Sequence, residues 1–364
     1  MAITRRTYLP ALALMAGLLL AFTGVASATA LDTLKQPPFP PTDVHLFDPG
    51  IYSEASPLVP ATQNPSGETA MRNKLKSLLE KRFGVGSTQV SEGLATYDAA
   101  STKSIVPSAR LRAALVSLKG TVGEPAINGA LDGTYGKVYF GTPRPCGGCD
   151  PVAQVFLPSG STKLEIVFNE KYQYEDFRLL APVMAHEILH RDLLGGKKEG
   201  AVIASIQSLV YAQFVLVTPS LATSGTALAR DNNTELMARI NSRDATGKLR
   251  LFTSTSGSCP DASGIFPGGT CVPNFAALFE PLGDSANPGS SVLKQMVRNI
   301  VGSGVTLPQT VNFDDNTLLL LNNNQKVFTN AQLVRLATIL KLDTSPQVAT
   351  AQDVGGHDSR AARP

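Results

Sequence analysis

Apolar residues begin to recur at helical spacing near Glu68. Met71, Leu75, Leu78, Leu79 and Phe83 share one face of a 3.6-residue repeat, and Gly84 supplies a stop. A second helical stretch covers 108–118 and closes at Gly120. The period then changes. Runs at 137–140, 152–156 and 163–168 read as strands, with Pro158-Ser159-Gly160 as a turn signal between the last two. Leu179, Leu180, Val183, Met184, Ile188 and Leu189 then mark a buried helix, read as starting near Asp176 with a bend at Pro182, the alternative being a start at Pro182 itself. Gly195-Gly196 ends it, and the nearly uncharged run 201–217 reads as a second buried helix. Beyond Thr218-Pro219, helical patches at 234–240, 291–300 and 330–340 alternate with loops rich in Gly, Ser and Pro. The expected class is α+β: a small sheet, a helix, a second buried helix, then a mostly helical C-terminal lobe.

The flanks differ in character. Residues 1–30 read as an export signal, with Arg5-Arg6 as the charged start, an apolar run over 9–22, and the small-residue sites Ala26-Ser27-Ala28 and Ala28-Thr29-Ala30. Thr4-Arg5-Arg6-Thr7 also fits a twin-arginine leader. The apolar run falls short of the roughly 20 residues of a spanning helix, so no stable membrane span is expected after cleavage. Residues 31–66, with Pro37-Pro38 and Pro40-Pro41, read as a linker or surface arm and conceivably a propeptide. The organisation expected is therefore leader 1–30, arm 31–66, a first domain 67–218, a C-terminal lobe 219–343 and a polar, disordered tail 344–364.

Composition adds two constraints. A chain of 364 residues with 43% hydrophobic residues can bury a core. Its net charge of +3 falls to +1 once Arg5 and Arg6 leave with the leader, so it carries no electrostatic footprint for nucleic acid or an acidic membrane. The four cysteines, Cys146/Cys149 and Cys259/Cys271, suit two local disulfides in an oxidising, extracytoplasmic compartment. Other connectivities, a four-cysteine zinc site and a redox pair at Cys146/Cys149 are the alternatives.

The chemistry concentrates in His186-Glu187-Ile188-Leu189-His190. Histidines at i and i+4 are about 40° apart around an α-helix, so two neutral imidazoles project from one face and suit Zn²⁺ at about 2.0–2.1 Å each. Glu187, one residue round from His186, is placed to act as general base on a metal-bound water without ligating the metal. Two polar histidines on a solvated helix face is the plain alternative. His45 and His357 lie in Pro-rich and Gly-rich flanks and read as solvated.

On this motif and its apolar context, the stretch 172–214 resembles the zincin superfamily of zinc metallopeptidases. Arg191 and Asp192 stand where zincins usually carry uncharged residues. Leu193 and Gly196 depart from the metzincin extension. A catalytic zinc needs a third protein ligand. The resemblance to gluzincins, which take a glutamate from the following helix, points to Glu199, here with eight residues between it and His190. Glu199 also fits a plain helix-start carboxylate stabilised by the dipole, and Glu235 and Glu280 on later segments are further alternatives. In zincins an edge strand holds the substrate by main-chain pairing, for which 163–168 is the candidate. Tyr172, Tyr174 and Tyr211 are candidate oxyanion donors, Tyr211 being better placed for core packing.

The resemblance implies an exported, secreted or periplasmic, zinc metallopeptidase acting on a peptide or protein substrate, with His186, His190 and Glu199 on the metal and Glu187 as base. The competing expectation is a non-catalytic exported metal-binding or structural module that retains the same helix.

Overall fold

A computed structural model describes residues 67–144, 151–192, 197–240, 249–254, 257–259, 272–273, 291–307 and 325–340. The expected leader 1–30, the expected arm 31–66, the stretch from 344, Cys146, Cys149, Cys271 and Glu280 lie outside the described residues. Helix α1 (Glu68–Phe83) buries Met71, Leu75, Leu78 and Leu79, and Gly84, at φ 91°, ends it with its amide on the Glu80 carbonyl. Two helices follow that the apolar pattern did not mark, α2 (Thr88–Asp98) and α3 (Ala100–Ile105). Helix α4 (Ala109–Val116) starts at Ser108, whose side chain accepts from the Leu111 amide, and Gly120 lies just beyond it at φ 75°. Arg112 in α4 is buried, donates to the Val106 and Pro107 carbonyls at 2.9 and 2.7 Å, and pairs with Glu68, tying α4 to the start of α1. A third unmarked helix is α5 (Pro125–Leu131), with proline in its first turn.

The three predicted strands form one sheet: β1 (Tyr135–Gly141), β2 (Ala153–Phe156) and β3 (Leu164–Asn169), in the order β1-β3-β2. β3 runs parallel to β1, with Val138 opposite Ile166, and antiparallel to β2, with Val155 opposite Ile166. The stretch 163–168, expected at the edge, is therefore the central strand. Its partly exposed Glu165 reflects a sheet face open to solvent at that position, not an open ladder.

Helix α6 (Phe177–Leu189) starts where the pattern placed it. Asp176 caps it by accepting from the Arg178 amide at 2.9 Å, and Pro182 lies inside the helix. The helix tightens into a 3-10 turn at His190–Asp192. Helix α7 (Lys197–Val217) packs along α6, and α8 (Ala227–Ile240) rests on both. Beyond them come a second small sheet, β4 (Leu249–Ser254) between β5 (Gly257–Cys259) and β6 (Val272–Pro273), and helices α9 (Ser291–Val301) and α10 (Asn330–Ile339). The fold is a mixed α+β arrangement, mostly helical with a small three-stranded sheet. One buried apolar cluster takes in Leu228, Leu236, Met296 and Leu336 together with Leu75, Ile166 and Leu180. No helix among the described residues is long and apolar enough to cross a membrane.

Candidate metal centre

Residues 186–190 occupy the last turn of α6 and the residue that caps it. The helix is buried on nearly every side, in keeping with its largely apolar sequence. His186, Glu187 and His190 are each no more than 3% exposed. The Nε2 atoms of His186 and His190 approach to 3.1 Å, with the rings nearly perpendicular. Two ligands about 2.0–2.1 Å from one tetrahedral zinc lie roughly 3.3 Å apart, so this separation fits a shared cation. Without a cation, one ring must carry its proton on Nε2 and donate it to the other. A candidate ligand atom from each of His186, Glu187 and His190 lies within 4.8 Å of the other two, and among the described residues this is the one such grouping. The grouping can hold a metal ion.

Glu187 is held by the sheet edge. The register that puts the Asn169 amide on the Val152 carbonyl turns the Val155 N–H away from β3, and it donates to the Glu187 carboxylate. The second oxygen, Oε2, is buried without a hydrogen-bond partner. Burial pushes this carboxyl up to about 7, against the pull of His190 and the Val155 amide, both of which favour the ionised form. A carboxyl poised near neutrality, with one oxygen anchored and the other unengaged, can both accept and return a proton.

Neighbouring elements fix α6. Pro182 removes the N–H that would serve the Arg178 carbonyl. One residue on, the Leu179 carbonyl accepts from Asn232 Nδ2 at 3.2 Å, while Asn232 Oδ1 accepts from Gln207 Nε2 at 3.1 Å, so α6, α7 and α8 share one buried bridge. Tyr135 and Arg191 secure the far end. Neither contact was legible in the sequence, because both join residues more than 50 positions apart.

Other candidates resolve as follows. Glu199 lies in the first turn of α7, the helix that packs along α6; its side chain is outside the described detail. Glu235, in α8, does not join the grouping of His186, Glu187 and His190. Tyr211 donates to Asn233 Oδ1 at 2.6 Å and is wholly buried, a packing role. Tyr172 is also wholly buried, and burial, with Asp231 and Glu175 nearby, drives its phenol far above the usual range. Tyr174 is partly exposed.

Comparison of the chain with protein-family profiles, curated sequences and solved structures finds no match in any of the three. The geometry of the centre therefore carries the functional reading.

Proposed function

We propose that this protein is an exported zinc-dependent metallopeptidase of the zincin kind. The observation that carries the reading is the convergence of two buried imidazole Nε2 atoms at 3.1 Å beside a buried carboxyl. His186 and His190 would hold the ion, with Glu199, on the adjoining helix, as the candidate third ligand. When bound, zinc supplies Lewis-acid polarisation and acidifies water towards ~7. Glu187 takes the proton from the attacking water on Oε2 and gives it to the amine that leaves as the peptide C–N bond breaks. The leader at 1–30 and the even cysteine count support action outside the cytoplasm.

Burial of all three residues supports a second reading, a non-catalytic module, because structural metal sites are closed whereas catalytic ones keep an open position. Glu187→Gln discriminates between the two. The purified wild type and variant, matched for zinc content, are assayed on a quenched-fluorescent peptide library. Turnover in wild type that drops by at least ~100-fold in the variant, with zinc retained, is the expected result. Zinc binding without turnover in either would assign the module instead.

A further inference from the structure

The turn that carries His190 is held from outside its own helix by one short segment. The last carbonyls of a helix lack regular i+4 donors, and here the His190 amide turns back onto the Glu187 and Ile188 carbonyls. His190 is the C-cap residue of α6, so the second histidine sits where helices fray. Here that end is docked at three points. The Tyr135 hydroxyl, wholly buried, lies 3.2 Å from the Glu187 carbonyl and 3.0 Å from the Ile188 carbonyl. Arg191 Nη1 donates to the Gly129 carbonyl at 2.7 Å and to Asp132 Oδ2 at 2.6 Å. Asp132 Oδ1 in turn accepts from the Thr134 amide at 3.0 Å.

All these anchors belong to residues 129–135: the end of α5, a turn through Gly133 at φ 97°, and the first residue of β1. Gly129 sits at a close approach of elements. A Cβ there would come within 3.0 Å of Val292 Cγ2 on α9 and 3.2 Å of Ile188 Cγ2 on α6. The segment is thus pressed between the motif helix and α9 and bonded to the motif turn from both sides of His190.

We propose that residues 129–135, acting through Tyr135 and Arg191, are a positioning element that sets His190 against His186 and thereby tunes the affinity of the metal centre. The inference rests on the metal-binding reading above. His186 is fixed by the helix body, whereas His190 lies in the 3-10 turn, where small rotations swing its Nε2 away from that of His186. Arg191 occupies a place that zincin-like motifs usually give to an uncharged residue, and its guanidinium is directed at α5. It supports the turn instead of facing the ion. Outer supports of metal ligands are commonly worth 10–100-fold in affinity.

The test measures zinc affinity by chelator competition in the full chain, with the visible d–d spectrum of the Co²⁺ form as a report on ligand geometry. Arg191→Ala and Tyr135→Phe should each weaken zinc about 10–100-fold and alter the Co²⁺ band. Arg191→Lys should recover most of the affinity, because a single nitrogen makes both Arg191 contacts. Asp132→Asn, at the half-exposed end of the pair, offers a variant that leaves the core untouched. Tyr97→Phe, on α2, which packs on α1, α3 and α4, removes another buried hydroxyl, bonded to the Glu68 carbonyl at 3.2 Å, and should keep wild-type affinity whatever it costs in thermal stability. Unchanged zinc affinity and spectrum in Arg191→Ala and Tyr135→Phe, with only a lower melting temperature, would overturn the positioning role and leave the metal reading intact. Failure of the wild type to bind zinc, or zinc binding that survives His186→Ala, would overturn both.

Discussion

Glu175 and Glu187 are both wholly or nearly wholly buried carboxyls pushed up to about 7, yet they differ in what they serve. Glu187 faces the two imidazoles, and a bound cation would draw it back towards the ionised form. Glu175 sits one residue before the cap of α6. Burial raises its pKa from the ordinary 4.5, the Asp176 charge adds to the shift, and Thr226 and Arg110 oppose it. The native state therefore binds a proton at Glu175 that the unfolded chain has already lost. The stability this gives is fully present below about pH 4.5 and is lost as pH rises through about 7, a change of about 3 kcal/mol. Chemical denaturation of metal-free wild type and Glu175→Gln should show the variant gaining on wild type between about pH 5 and 8. A difference in unfolding free energy that stays constant over that window would rule out a neutral, buried Glu175.

The site is built at the level of elements from the packing of α6 against α7, and Gly123 marks how close that packing is. A Cβ at Gly123 would lie 2.9 Å from Val210 Cγ2 on α7 and 3.4 Å from Ala185 Cβ on α6, directly before His186. Val210 is branched and wholly buried, so it cannot swing aside. Gly123→Ala should cost about 1–3 kcal/mol by overpacking, read as a lower denaturation midpoint with unchanged slope. A neutral substitution would mean the two helices part more easily than their contact implies. The elements that carry this packing were the legible ones. The stripes of α1, α4 and α6, the uncharged run of α7 and the three strand runs each announce themselves through large apolar side chains at a fixed period. Helices α2, α3 and α5 do not, because they are short and carry few large apolar side chains: α2 offers only Val90, Leu94 and Tyr97, and α3 only Ile105. Strand order was not legible either. Each strand's own sequence is compatible with centre or edge, and the pairing of Tyr135 with Leu164 is a non-local event that only the closed fold decides. Hence the histidines and Glu187 could be named from their spacing, whereas the Val155 amide, Tyr135 and the direction of Arg191 could not.

For the molecule as a whole, the placement of the proposed centre would make metal binding a folding term. His186 and His190 lie in a helix that touches the sheet edge at Val155, α7 along its length and, through the 129–135 segment, helix α9 of the C-terminal part. An ion that binds this arrangement and not the unfolded chain stabilises it by RT ln(1 + [L]/Kd), about 4 kcal/mol at a thousandfold excess over Kd. Zinc should therefore raise the melting temperature in a concentration-dependent way, and EDTA should reverse the gain. His186→Ala and His190→Ala should melt at one temperature with and without zinc. Hydrogen exchange would localise the effect. Amides in the last turn of α6 and in residues 129–135 should gain protection on zinc addition, because both must hold their places for the two Nε2 atoms to converge, whereas amides of α2, which packs on α1, α3 and α4, should exchange as before. Protection spread evenly over α2 and α6 would indicate that zinc acts on global stability alone. A melting temperature indifferent to zinc in the wild type would remove the metal from the fold altogether and, with it, the chemistry proposed for Glu187.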